Sequence, residues 1–133
     1  MYAVIFHAHQ TLDKIAYAKF RRELPDAWFP KIGDILQFEG GRGPDSTKFK
    51  NSATTQQPWH FIDPHNQSDT QLAETVDQHY KNLVQALRKQ DAIKASFEAA
   101  WLAHAVVDGL TPAHHYPYEA TLSAIRGDDD YNN

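Results

Sequence analysis

The sequence predicts an all-α fold, and three observations support this class. Three long segments place apolar residues at helical spacing: residues 4–24, 68–90 and 91–108. No segment alternates apolar and polar residues with a period of two, as a half-buried strand would. The last helical segment is apolar or alanine at nearly every position, which is typical of a helix in the centre of a domain. We therefore expect residues 1–133 to form one compact multi-helix domain.

The first predicted helix is followed by a long irregular stretch. Pro25 and Pro30 end this helix, and His9 is expected on its apolar face. The other members of that face are Ile5, Leu12, Ile15, Ala16 and Phe20. Residues 31–38 predict a short helix or turn, and the glycines and proline of residues 39–46 predict a loop. The later segment "WHFIDPHN" is expected to be an ordered, partly buried loop.

The two later helices carry boundary signals in the sequence. Ser68 or Asp69 is expected to cap the earlier of them. Its apolar stripe consists of Leu72, Val76, His79, Tyr80, Leu83 and Leu87. Asp91 opens the final long helix, and Gly109 and Pro112 are expected to stop it.

The composition excludes several classes of protein. A hydrophobic share of 41% predicts a globular chain rather than a disordered one. Lys and Arg total 13 against 17 for Asp and Glu, so a broad basic surface is excluded and no stable nucleic-acid partner is expected. The absence of cysteine excludes disulfides and thiolate metal sites. No apolar run is long enough to span a membrane, and "MYAVIF" lacks the basic flank of a secretion signal.

Eight histidines in 133 residues are the most unusual feature of the chain. His104 and Asp108 are four positions apart on a predicted helix, so both project from one face and can share a divalent cation. Gly109 and Pro112 then turn the chain, which lets His114 return toward the same region. His104 alone predicts a core histidine that bonds a carbonyl group. Together with Asp108, an internal ion pair and a metal site remain equally open.

The pattern His104, Asp108 and His114 resembles the HxxxDxxxxxH motif of the zinc-dependent phospholipases C. Their relatives, the fungal and plant single-strand nucleases, share this motif. Upstream, "WHFIDP" is similar to the aromatic-rich histidine loop of the family and supplies His60. "GPD" supplies Asp45 at the family spacing from that loop.

The N-terminal helix extends the resemblance, because "HQTLDKIA" carries His9 at a ligand position of the family. The resemblance implies a helical domain with up to three zinc ions between its central helices. The first zinc would be held by Asp45, His60, His104 and Asp108. The second would be held by His9, the amino and carbonyl groups of the first residue, and a shared Asp108. The third would be held by His114 with a histidine and an acidic residue from a later helix.

The resemblance implies an activity and a location as well. The activity is zinc-dependent phosphodiester hydrolysis of the phospholipase C type, in which metal-activated water attacks a phospholipid. Asp45 would hold a zinc and orient or deprotonate that water. Asp63 would accept a hydrogen bond from a ligating histidine or from the loop backbone. Because family members are mostly exported, a secreted or cell-envelope location is expected.

Two other functions stay open at this point. One is a single-strand nuclease or nucleotidase, which would need an aromatic pocket that stacks a base. "DGLTPAHH" is more similar to the phospholipase version of the motif, and this favours the phospholipase side. The other is a helical domain that binds metal without catalysis.

The chain departs from the family pattern at both ends. Met1 and Tyr2 precede His9 where the family has a metal-binding first residue. The last residue, Asn133, comes before the later ligands of the third zinc. We therefore expect a complete first site, a partial second site and an incomplete third site, in a domain truncated at its C-terminus.

Three further polar residues receive more ordinary assignments. His79 lies beside Tyr80 on an apolar stripe and predicts a hydrogen-bonded core histidine. His65 lies in a polar loop and is expected to face solvent. Asp34 is a weaker rival to Asp45 because its spacing to the histidine loop fits less well.

Overall fold

The computed structural model describes residues 2–40, 42–44, 62–111 and 115, with side chains described from residue 8 onward. The helices in these ranges are α1 (Tyr2–Glu23), α2 (Ile32–Leu36), α3 (Gln71–Arg88) and α4 (Ala92–Leu110). Within the same ranges there is no strand, and the one β contact is an isolated parallel bridge between Ile62 and His115. The prediction of an all-α fold is confirmed.

Helix α4 is the central element, because it contacts α1, α2 and α3. Its small side chains allow this close packing: Ala95 and Ala100 are 0% exposed. Asp91 caps the helix as predicted, accepting a hydrogen bond from the backbone N–H of Lys94 at 3.1 Å. The helix passes through Gly109 and ends one residue later.

Helices α3 and α4 form a hairpin with its own apolar core. Leu83 and Ala86 of α3 pack on Ala95 of α4, and all three are buried. Gln90, in the short connection, adopts a left-handed backbone with φ of 52°. Tyr80 was predicted on the buried stripe but is 58% exposed. The apolar face of α3 is therefore narrower than its sequence pattern indicates.

The predicted cap of α3 was wrong. The residue at the cap position is Thr70, and its side chain accepts no backbone hydrogen bond there. Asp69 lies one position before the cap residue, and its Oδ2 accepts the backbone N–H of Asp63 at 2.7 Å. The Thr70 hydroxyl instead donates to the Glu74 carboxylate at 2.7 Å. The Asp69 carboxylate, which local sequence rules assign to the helix end, therefore hydrogen-bonds the preceding loop instead.

The register predicted for α1 was also partly wrong. Leu12 and Ile15, which the pattern placed on the inner face, are 45% and 64% exposed. The buried positions are His9 and Asp13, one helical turn apart. Phe20 continues this face and packs on Phe29, with ring centroids 4.7 Å apart. Helix α1 therefore turns a polar pair toward the interior.

Candidate metal centre

Two imidazole rings from distant parts of the chain are stacked in the interior. His9 of α1 and His104 of α4 have ring centroids 3.8 Å apart and an interplanar angle of 13°. They are 4% and 1% exposed. Buried imidazoles need polar partners, because burial removes the water that would otherwise bond their nitrogens.

A carboxylate lies at each edge of this stack. Glu39 lies at the Nδ1 edge, where its Oε1 is 2.5 Å from His104 Nδ1 and 3.9 Å from His9 Nδ1. Asp108 lies at the Nε2 edge, where Oδ1 is 3.3 Å from His9 Nε2 and Oδ2 is 3.1 Å from His104 Nε2. Both carboxylates are 1% exposed. We call these four residues with Asp13 the buried cluster.

Asp13 adds a third buried carboxyl group to the buried cluster and is 7% exposed. Burial, reinforced by the negative charge of Glu39, raises the pKa of Asp13 from 3.8 to about 7, and the two histidines oppose this rise. The Asp13 carboxyl also hydrogen-bonds Glu39. Asp13 also lines an apolar cavity of about 160 Å³.

Each group of the cluster is held by a short structural unit. His9 and Asp13 are one turn apart on α1, and His104 and Asp108 are one turn apart on α4. Glu39 follows α2 in a tightened turn, where its N–H donates to Leu36 O at 3.2 Å. Two helices and the turn after α2 thus direct polar side chains to one point.

The turn that carries Glu39 depends on Gly43. A Cβ built at Gly43 would lie 2.7 Å from the carbonyl oxygen of Phe38 and closer still to that of Glu39. Both neighbours are backbone atoms, so they are unable to swing aside as a flexible side chain would. Glycine is required here because the backbone passes so closely.

We expect Gly43→Ala to displace Glu39 and to lower the free energy of unfolding by about 1–3 kcal/mol. The matched control is Gly33→Ala in α2, where an added Cβ meets nothing within 4 Å. Urea unfolding of both variants, with a metal-binding titration on each, checks the prediction. Equal stability and equal metal affinity in the two variants would contradict it.

The buried cluster leaves polar atoms without partners. Among the described residues, His9 Nδ1, Asp13 Oδ2 and Glu39 Oε2 are buried and form no hydrogen bond. Such atoms are rare in folded proteins, because each costs about 1–3 kcal/mol. One ligand atom from each of His9, Glu39 and His104 lies within 4.8 Å of the others. This buried group can hold a metal ion.

The structure brings together three of the residues that the sequence predicted as ligands: His9, His104 and Asp108. Asp45, His60 and His114 lie outside the described residues, and their assignments stay predictions. Asp63 is described, and its Oδ1 accepts the backbone N–H of His65 at 2.9 Å. This contact is with the loop backbone, one of the two partners that were expected.

Glu39 and Asp13 were not predicted. Glu39 precedes a glycine-rich segment and was assigned to a loop, although it lies four positions after the buried Ile35. Asp13 lies four positions after His9, the same spacing that made Asp108 a candidate beside His104. Applying that spacing rule to α1 would have identified it.

His79 belongs to a separate polar pair. Its Nδ1 lies 2.6 Å from Glu98 Oε2, and Asn82 donates to the other oxygen of that carboxylate at 3.2 Å. The prediction of a hydrogen-bonded core histidine is confirmed. Its partners are on α3 and α4, so this pair is part of the hairpin rather than of the buried cluster.

We expect the metal-free chain to lose stability as the pH rises from about 4 to about 7. The raised pKa of Asp13 means that the folded chain keeps a proton that the unfolded chain releases, so this stabilisation is complete below about pH 4. It is lost as the pH rises through the folded value of about 7. The groups that face Asp13 are Glu39, His9 and His104.

Urea unfolding in EDTA at both pH values checks this, with Asp13→Asn as the reference that lacks the titrating group. The stability of the wild type relative to this variant should fall by on the order of 2–4 kcal/mol between the two pH values. A difference that does not change with pH would contradict the prediction.

Comparison with models of protein families, with curated proteins and with solved structures gives no match. Within the described residues, no helix is long and apolar enough to cross a membrane. The chemistry of the buried cluster is therefore argued from its own geometry.

Proposed function

We propose that this chain is a zinc-dependent phosphodiester hydrolase of the phospholipase C type, with the metal site between its helices. The observation that carries the proposal is the meeting of His9, His104 and Asp108. They come from opposite ends of the sequence, and the family resemblance assigns all three to neighbouring zinc ions. A structural ion pair would need one histidine and one carboxylate, whereas this cluster has two histidines and three carboxyl groups.

The charge of the buried cluster supports a cation. Among the described residues, the ion-pair partners of Glu39 are His9 and His104, and an imidazole balances a buried carboxylate only when it is protonated. Several carboxylates brought together without water repel one another and are strongly destabilised. A divalent ion supplies the missing charge at the point where the ligand atoms converge.

The contacts of His104 support its role as a ligand. A neutral imidazole that donates Nδ1–H to Glu39 Oε1 at 2.5 Å presents its Nε2 lone pair toward Asp108. This carboxylate–histidine–metal arrangement is common in zinc sites, because the outer carboxylate fixes the ring and raises its basicity. His104 and Asp108 would hold the zinc together, with Asp45 and His60 as the further ligands that the resemblance predicts.

Zinc bound at this position would lower the pKa of a coordinated water, so that hydroxide attacks phosphorus near neutral pH. The ligands His104 and Asp108 would determine the position of the zinc, and therefore the position of the attacking water. Asp108 and His104 are fully buried on the central helix, so the ligand positions are rigid. Rigid ligands keep the site organised before substrate binds, and such preorganisation is the main source of electrostatic catalysis.

The experiment measures metal content and hydrolysis on one sample of the chain. Elemental analysis after mild dialysis gives the zinc content per chain. A chromogenic phosphodiester, phospholipid vesicles and single-stranded DNA are then compared as substrates. We expect bound zinc and turnover of the chromogenic and phospholipid substrates. Preferred cleavage of DNA would indicate a nuclease, and zinc without turnover of any substrate would indicate a non-catalytic metal-binding domain.

A further inference from the structure

We propose that Thr111 and His115 are positioning residues for Asp108, because together they fix the last turn of α4, which carries this carboxylate. The proposal rests on the proposed function in one respect, namely that Asp108 holds zinc. The family resemblance assigns no role to Thr111 or His115. Their role follows from hydrogen bonds at the C-terminal end of α4.

Asp108 occupies a position where helices ordinarily fray. It lies two residues before Leu110, the last residue of α4. Helix ends are loose because the last four carbonyl groups have no partner within the helix. A carboxylate at this end also meets the negative pole of the helix dipole. A rigid metal ligand at this position therefore needs contacts from outside the helix.

Two residues that follow α4 supply partners for three of its last carbonyl groups. The Thr111 hydroxyl donates to Val107 O at 2.6 Å, and the Thr111 backbone N–H donates to Asp108 O at 3.1 Å. His115 Nε2 lies 2.9 Å from Gly109 O. Since a carbonyl oxygen only accepts, the His115 ring carries a proton on Nε2 and donates it. Three consecutive carbonyl groups, including that of Asp108 itself, are thereby satisfied.

Two further contacts hold this turn. The backbone of His115 forms the isolated parallel bridge with Ile62, so the residue that donates to Gly109 is itself anchored. From α3, Leu72 packs closely on the same turn: it is 2% exposed, and its Cδ2 would lie 3.3 Å from a Cβ built at Gly109. Contacts from α3 and from residues after α4 therefore meet at the turn that carries Asp108.

The order of this turn matters for the metal site because Asp108 serves both imidazoles. Its Oδ1 is 3.3 Å from His9 Nε2, and its Oδ2 is 3.1 Å from His104 Nε2. A metal site needs its ligand groups held to within about 0.5 Å. Fraying of the last turn would move both oxygens of Asp108 together and exceed this tolerance.

The first test removes one donor at a time and measures zinc affinity. Thr111→Val deletes the hydroxyl and keeps the shape of the side chain, and His115→Leu deletes the ring N–H. Each should weaken zinc binding by about 10-fold, because loss of a residue that supports a metal ligand costs about 10–100-fold and these two act through the backbone. His115→Gln, which keeps an N–H donor, should retain affinity close to that of the wild type.

Matched controls exist for both residues. The Thr75 hydroxyl on α3 donates to the carbonyl four positions earlier, Gln71 O at 2.8 Å, as Thr111 does on α4, but in an exposed hydrogen bond. His65 is an exposed histidine, as predicted. Thr75→Val and His65→Leu should leave zinc affinity unchanged. Equal zinc affinity in Thr111→Val, His115→Leu and these controls would overturn the proposal.

The second test uses the metal-free chain, so it depends on neither zinc nor activity. Amide hydrogen exchange in EDTA, followed by NMR, should show the Thr111 N–H protected in the wild type. In His115→Leu it should exchange about 5–10-fold faster, the effect of losing one hydrogen bond, while amides in the middle of α4 keep their protection. Equal exchange at Thr111 in the two chains would overturn the proposal.

A measurement on the wild type remains decisive even if a variant fails to fold. The ring nitrogen shifts of His115 should show a neutral imidazole with its proton on Nε2, as the contact with Gly109 O requires. A neutral ring with its proton on Nδ1 would overturn the proposal.

These results separate the two proposals. If Thr111→Val and His115→Leu weaken zinc binding but no chain cleaves a phosphodiester, the positioning role stands and the proposed activity fails. If the wild type cleaves phosphodiesters and both variants bind zinc as tightly as it does, the activity stands and the positioning role fails. A wild type that binds no zinc would overturn both.

Discussion

Asp108→Asn should remove most of the bound zinc and lower phosphodiester hydrolysis by at least about 100-fold. Loss of an outer-shell partner already costs about 10–100-fold in metal affinity or activity, and Asp108 would be a direct ligand. Its two oxygens contact the Nε2 atoms of both imidazoles, whereas Glu39 lies at the opposite, Nδ1 edge of the stack. Asparagine keeps the size of the side chain but removes its charge.

The control for this prediction is Asp77→Asn, an exposed carboxylate that pairs with Lys81 on α3. It changes the net charge of the chain by the same amount, and it should leave zinc content and turnover unchanged. Elemental analysis and the chromogenic assay on both variants check the prediction. An Asp108→Asn chain with wild-type zinc content would show that Asp108 does not hold the zinc, and would contradict the assignment of the metal to this carboxylate.

Removal of zinc should lower the thermal stability of the chain by about 10–15 °C. A ligand present at 100–1,000 times its dissociation constant stabilises the folded state by about 3–4 kcal/mol. For a domain of this size, each kcal/mol corresponds to about 4 °C in Tm.

Circular dichroism melts with EDTA, and again after zinc is restored, measure this change. Asp108→Asn should respond to EDTA much less than the wild type, because it has little zinc to lose. Calcium in place of zinc should restore little of the stability, because an imidazole nitrogen is a poor ligand for that ion. A melt that EDTA leaves unchanged would contradict the prediction.

Much of the fold was readable from the sequence, because its helices depend on local patterns. The near-continuous apolar run of α4 predicted its central place, and Asp91 was correctly placed at its start. The cap of α3 was missed because Asp69 bonds the backbone of Asp63, a contact that helix-end rules do not contain. Local sequence patterns predict that a helix forms, but they do not predict whether a candidate capping side chain will hydrogen-bond another part of the chain instead.

The buried cluster was only half predictable for a related physical reason. His104 and Asp108 are one turn apart, so their proximity follows from helix geometry alone. Glu39 lies in a turn whose close backbone contacts require Gly43. Its contact with His104 depends on the tertiary fold, and no local sequence pattern predicts it. The buried face of α1 was predicted wrongly because the prediction assigned the apolar Leu12 and Ile15 to the interior and left the polar Asp13 out. The polar partners of Asp13 were not visible from α1 itself.

The stack of His9 on His104 has a consequence for the order in which the chain assembles. Helices α3 and α4 are neighbours in sequence, so their hairpin can form early at a small loop-closure cost. Glu39 and His104 are 65 positions apart, and His9 is further still, so the N-terminal helix must be gathered from a distance. The chain has no cysteine, so the buried cluster connects the N-terminal helix to the hairpin without a disulfide, and its contacts can form only after these distant segments have come together.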